Sequence, residues 1–283
     1  MKIKSIAEFL KGIQELQAQH PDELLFFRGE AFSGWELRPS VMRQGFLAFE
    51  SQMLIDLITR RPDEFSNRES ATSQWVLAQH HGLKTRFLDI TKNPLVALFC
   101  ACESRSYEEG RVHIFAVHPD LVETFNSDRV SIVANFAKLS RQEQEVLLSE
   151  TPNGSDYGYL GALTHLYQLV RQEKPSFEQP LDARDLARVF VIEPQQSSER
   201  IRQQSGAFLA SAYHPRFERK SILAINERIP VYAHYTPTVS WNRKSHILRE
   251  LALLNITRET LFPGLDESAR AITDSYRQRL EQG

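Results

Sequence analysis

The 283-residue chain has two cysteines, Cys100 and Cys102, too few for the disulfide framework of a small secreted scaffold. They stand two apart in an apolar run, where a helix turns them to different faces. A metal site needs about four ligands at suitable spacing, so the pair reads as small buried hydrophobes. No apolar run approaches the roughly 20 residues of a membrane-spanning helix. The opening MKIKSIAEFLKGIQELQ carries polar residues every few positions, so no secretory signal is expected. The expected location is the cytoplasm, without membrane contact. Repeats, low-complexity tracts and Gly/Ser linkers are absent. So is an excess of either charge: Lys+Arg 34 against Asp+Glu 36 gives a net charge of -2, which excludes a globally basic nucleic-acid coat. That balance hides two opposed regions. Residues 103–185 hold 14 acidic and 8 basic residues, whereas 200–250 hold 9 basic and 3 acidic, so a polyanionic substrate stays compatible with the second region.

Familiar catalytic signatures are missing too: GxGxxG, GxxxxGK[ST], GxSxG and HExxH do not occur. The carboxylate pairs Asp63-Glu64 and Glu108-Glu109 lie in polar surroundings and read as solvated rather than as a glycosidase pair. What the chain does contain is an ordinary globular mixture, 41% hydrophobic and 25% charged. Apolar spacings of three and four predict helices over 5–19, 47–60, 70–80, within 140–175, and over 243–254. Asn93-Pro94 predicts an N-cap followed by proline in the first turn of a helix over 95–102. Short β-rich runs predict strands at 24–27, 85–90, 111–117, 187–192, 221–225 and 231–234. A last helix is expected over 266–282. Strands scattered among helices, without a regular βαβ alternation, imply an α+β fold. No composition break divides the chain, so a single unit over 1–283 is expected, with its core at about 20–270 and helices 5–19 and 266–282 outside it.

Three stretches are chemically loaded. In Phe26-Phe27-Arg28-Gly29-Glu30, an arginine ends an apolar strand beside a glycine that allows close backbone approach. Its guanidinium suits phosphate or carboxylate, or it pairs with a structural carboxylate such as Glu30. From Gln79 to Ala97, polar residues crowd both ends of a buried strand and the N-terminus of the next helix, a place that favours anions. His80 and His81 are adjacent, but no third ligand stands at a metal-binding spacing, so no metal is expected. Asp89 could equally pair with Arg86 or brace the Asn93 turn. In Arg200-Ile201-Arg202-Gln203-Gln204-Ser205-Gly206-Ala207-Phe208, Gln204 and Gly206 could present an amide and open backbone to a ligand.

In order, these segments resemble the bacterial FRG domain family. Phe27-Arg28-Gly29 matches its name-giving motif, and Trp35-Glu36-Leu37-Arg38-Pro39-Ser40 the W-x-L-x-P-S that follows. Gln79 to Ala97 matches the longest motif, Q-H-Y-G-L-P-T-R-L-L-D-W-T-x-N-P-L-V-A-L, with His81, Lys84 and Ile90 departing from it. Arg200 to Phe208 resembles the late R-x-x-x-Q-x-G-x-F element, and Leu261 to Asp266 the L-F-P-x-L-D near the family's end.

A looser resemblance is to NAD-dependent mono-ADP-ribosyltransferases. These begin with a strand ending in arginine, continue with a Ser-Thr-Ser strand and helix, and finish with a glutamate. Phe27-Arg28-Gly29 is similar to the first element, and Asp89-Ile90-Thr91 with Asn93 to Ala97 to the second. Gln204 stands where the acid is wanted, with Glu199 nearby. This resemblance implies an ADP-ribosyltransferase-like β core and NAD as substrate. It implies a macromolecular acceptor, RNA or protein, in a toxin or phage-defence setting where an antitoxin protein could be a partner. Arg28, His80, Asp89 and Gln204 would be catalytic; Arg28, Gly29, Arg86, Thr91 and Asn93 would bind the substrate. The alternatives are a non-catalytic nucleotide- or nucleic-acid-binding module, a nuclease using His80, His81 and Asp89, and a protein-interaction role.

Overall fold

The computed structural model describes residues 2–66, 70–148, 157–178, 186, 189–196, 198–212 and 233–264, with isolated positions 269, 272, 273 and 276. The strand expected at 221–225 lies outside the described residues, as does nearly all of the helix expected over 266–282.

The chain is α+β. Strand β1 (Lys2–Ile3) leads to α1 (Ile6–Gln19), whose N-cap Ser5 accepts from the Glu8 amide. Strand β2 (Leu24–Glu30) follows. The helix expected from residue 47 is a 3-10 turn at Phe46–Phe49 and then α2 (Glu50–Arg60), because no side chain caps a longer helix. The short α3 (Pro62–Phe65) precedes α4 (Ala71–His80), with Ser70 as its cap, and strand β3 (Leu88–Thr91). Strand β3 begins three residues later than expected, since Thr85 and Arg86 are committed to side-chain contacts with neighbouring segments. Helix α5 (Pro94–Cys102) starts at the expected Asn93 cap. Next come β4 (Gly110–Val117), β5 (Val122–Thr124), α6 (Asp128–Phe136), α7 (Arg141–Leu147), α8 (Tyr157–Glu173) and β6 (Phe190–Glu193). Then α9 (Glu199–Gln203) turns into β7 (Gly206–Ala210). The last described elements are β8 (Ala233–Tyr235), β9 (Thr238–Val239), α10 (Lys244–Leu253) and α11 (Arg258–Leu261).

Among the described residues the strands form one mixed sheet in the order β1-β9-β4-β2-β3-β7-β6-β5, with β8 also on β4. Strand alternation sorts its side chains. On one face, helices α1, α5 and α10 cover β2 and β4 through Phe9, Phe27, Leu98, Val112 and Ile247. Farther along that face, α4, α6 and α8 cover β6 and β7 through Trp75, Phe136, Leu166, Phe190 and Phe208. The other face packs Phe26, Leu37, Ile90, Phe115, Val191 and Leu209.

Helix α5 lies so close to β2 that a Cβ on Gly29 would stand 1.8 Å from the Ala97 carbonyl oxygen. Gly29 is therefore the residue that lets helix meet sheet, since any side chain would collide with rigid backbone.

Candidate functional site

Strand β3 sits between β2 and β7, so the three loaded segments become neighbours in space. Register then decides which side chains meet. Phe27 faces Thr91 on β3, and Asp89 faces Phe208 on β7. Asp89 therefore projects from the helix-covered face, in the seam between the two groups of helices. A half-open cleft of ≈ 70 Å³ lies there, lined by Gln79, His80, Asp89, Arg200 and Gln204 around an apolar wall that includes Phe208.

Each polar group in the cleft is positioned by a local device. Ser70 caps α4, and the positive φ of Gly82 (91°) turns the chain just past its end, which leaves Gln79 and His80 at the cleft. The Gln79 amide donates to Asp89 Oδ1 at 2.7 Å while its carbonyl accepts from the Thr85 hydroxyl. Asp89 keeps its exposed carboxylate fixed in this way. Burial, the Arg200 charge and then His81 all push the His80 pKa down, so its imidazole is neutral near pH 7. Arg200 stacks over the Phe262 ring, 5.0 Å from its centroid, and forms no ion pair among the described residues. Gln204 Nε2 donates to the Leu261 carbonyl at 2.9 Å. A second, wider cleft of ≈ 550 Å³ adjoins the first at Gly206 and is lined by Lys92, Asn126, Arg202 and Ser205 among others. Cations thus stand beside both clefts.

Of the expected site residues, His80, Asp89 and Gln204 come together. The others are held elsewhere. Arg28 alternates with Phe27 and so lies on the opposite face of the sheet. Its Nη1 donates to the Asp89 carbonyl at 2.7 Å and its Nε pairs with Glu30 at 3.3 Å. Gly29 serves helix packing. Arg86 is fully buried: it pairs with Glu50 and donates to the Ala212 carbonyl at 2.9 Å, so its guanidinium has no face for a substrate. Thr91 latches two segments, donating to the Gln204 carbonyl at 2.6 Å and accepting from the Asn93 amide. Asn93 caps α5 by accepting from the Leu95 amide. Glu199 is exposed and outside the cleft. Burial pushes the thiols of Cys100 and Cys102 up to about 12, so neither is a ready nucleophile.

Sequence reasoning missed two features. Arg200 and Gln79, which open two of the loaded stretches, line the cleft, although no role was assigned to either. Of a buried network on the opposite face, only the Arg28–Glu30 pair was expected. There Glu30 accepts from His113 Nε2 and Arg111, each at 3.0 Å, and His113 Nδ1 lies 2.8 Å from His234 Nε2. An ionised carboxylate only accepts, so His113 carries its proton on Nε2 and accepts from His234. Burial works to raise the Glu30 pKa, but the His113 hydrogen bond and the Arg28 charge overcome it and hold it at about 2. The tie of Arg28 to Glu30 was foreseeable from their adjacency; the histidines, distant in sequence, were not. No group of three or more metal-ligating side chains occurs among the described residues.

The architecture and cleft define an α+β protein with a polar, cation-flanked site beside two adjacent strands, β3 and β7. Residues 23–110 match the FRG domain family. The match takes in Arg28 and Asp89 and ends before the motif at 200–208. No curated protein and no solved structure matches the chain.

Proposed function

We propose that this protein consumes NAD and transfers ADP-ribose to a macromolecule, RNA or protein, as a toxin or phage-defence effector. The observation that carries the reading is the convergence of Asp89, His80, Gln204 and Arg200 on one cleft where β3 meets β7. In the reaction the bond between the nicotinamide nitrogen and ribose C1′ breaks, and nicotinamide leaves as a neutral molecule with the bonding electron pair. The acceptor's lone pair then bonds C1′ and its proton passes to Asp89. A glutamine cannot take that proton, so Gln204 orients the ribose, while Asp89 also screens the developing positive charge. Arg200, with Arg202 beyond it, offers the diphosphate its cations. Arg28 acts through the strand as a positioning residue, fixing the Asp89 backbone from behind.

Incubation with labelled NAD and cell lysate tests this. Nicotinamide release and label transfer are expected from the wild type. Asp89→Asn is expected to lower the rate by roughly 10²- to 10⁴-fold, and expression is expected to arrest growth only when Asp89 is intact. Absence of both products from folded wild-type protein contradicts the reading.

One observation favours a second reading. Gln204 lines the cleft where a catalytic glutamate is wanted, which suits a non-catalytic nucleotide- or nucleic-acid-binding module. Calorimetric titration separates the two: tight RNA binding that survives Asp89→Ala, without NAD turnover, supports the module.

A further inference from the structure

The face of the sheet opposite the cleft carries a concentration of guanidinium groups, of which the transfer reading uses only Arg28, and that for positioning. Alternation along β2 and β4 places Arg28, Glu30, Arg111 and His113 together, with Arg28 opposite His113 and Glu30 opposite Arg111. The segment after β2 adds two more cations. Arg38 pairs with Glu36 at 3.3 Å, and Arg43 donates twice to the Arg38 carbonyl, at 3.1 and 2.7 Å. Arg111 binds both Glu30 and the Trp35 carbonyl, which ties this segment to the sheet. At the rim Arg105 stacks on Trp35, 5.9 Å from the ring centroid.

The charge of this cluster is unbalanced. Among the described residues, Arg28, Arg38, Arg43 and Arg111 have Glu30 and Glu36 as their ion-pair partners within the cluster, which leaves two positive charges there. His113 does not add to them, because burial lowers its pKa. Glu30 is buried and fully engaged, so its charge is spent inside the protein. Nε of Arg38 and Nε of Arg111 are both buried without a hydrogen-bond partner, which is costly for a cation's donor. Arg43 feels the crowding: burial first, then the charge of Arg28 and that of Arg38, lower its pKa, against Glu30 and Glu36. The side chains of Arg28, Arg38 and Arg111 stay 18 to 26% exposed, enough for a ligand to reach them.

From this geometry we infer that the arginine cluster of Arg28, Arg38, Arg43 and Arg111 is a binding site for a phosphate monoester. A dianionic phosphate matches the two uncompensated charges, and its three terminal oxygens suit planar guanidinium forks. A phosphodiester carries one charge and leaves the cluster unbalanced. The same chemistry is offered by a free phosphate, a nucleotide's terminal phosphate or the 5′-phosphate end of a nucleic acid. The site lies on the other side of the sheet from the cleft, with Arg28 alone shared with the NAD reading.

The test is calorimetric titration of the full chain with inorganic phosphate, and with a 5′-phosphorylated single-stranded oligonucleotide beside its 5′-hydroxyl twin. Wild type, Arg43→Gln, Arg38→Gln and Arg200→Gln proteins are compared, with thermal melting as the check on folding. Phosphate is expected to bind the wild type, to bind Arg200→Gln equally well, and to lose roughly tenfold or more in affinity on Arg43→Gln or Arg38→Gln. An oligonucleotide preferred for its 5′-phosphate over inorganic phosphate identifies a nucleic-acid end as the source. Equal affinities identify a free or nucleotide phosphate. The inference is overturned if inorganic phosphate does not bind or if the loss tracks Arg200→Gln alone. If either cluster variant fails to fold, the other decides. If both fail, a phosphate-induced rise in the melting temperature of Arg200→Gln protein is expected, and no rise overturns the site.

Discussion

Gly29 sits where β2 and α5 touch, and its missing side chain is worth a definite amount. An alanine there would thrust Cβ against backbone at Ala97 and Ala101, neither of which can rotate aside. Gly29→Ala is expected to cost at least about 3 kcal/mol, the upper end of ordinary overpacking, measured by denaturant unfolding. Arg86 and Glu50 make the complementary case. Both are fully buried, and Arg86 also lies over the Phe136 ring, 5.2 Å from its centroid. Glu50→Ala leaves the Arg86 cation stranded in the core, at an expected cost of about 3–5 kcal/mol. Neither change removes a group that lines the cleft, so the folded fraction should retain whatever activity the cleft has.

Helix α4 and strand β3 together aim the cleft's polar groups, and their ends do the aiming. Ser70 is the cap of α4; Ser70→Ala is expected to lower stability by about 1 kcal/mol, read as a shift in the unfolding midpoint. The elements most readable from sequence had local signals. The Asn93 cap, the 3-4 spacing of α1 and α10 and the β-rich run of β4 each announce themselves within a few residues. Helix α6 and strand β7 did not. All but two residues of α6 are buried, so it lacks an amphipathic stripe, and β7 is five residues of small and apolar side chains beginning at a glycine. The site was half legible for a related reason. Arg28 and Asp89 fall on adjacent strands, with Gln204 just before a third, but only register reveals that Arg28 leaves on the opposite face from Asp89. Arg86 misled because an arginine inside a motif reads as a ligand group, whereas its partner Glu50 is 36 residues away.

At the scale of the molecule, the sheet separates two polar systems, a cleft on the helix-covered face and a buried ionic network on the other. The network links stability to pH. Glu30 is held at about 2, below its ordinary value of about 4.3, so its stabilisation is complete above the unfolded pKa and is lost as pH falls through about 2. Burial holds His234 at about 3, below the ordinary value of about 6.5. A group kept neutral in this way costs stability progressively as pH falls below 6.5. Both effects run in one direction, so the melting temperature is expected to fall steadily as pH drops from about 6.5 towards 2. Glu30→Gln is expected to remove the lower part of that slope. The same separation of faces gives the account its sharpest exposure. A crystal structure of the protein soaked with NAD is predicted to place the nicotinamide ribose against Asp89 and the diphosphate towards Arg200. NAD bound on the Arg28 face alone, or absent from the cleft at saturating concentration, would contradict it.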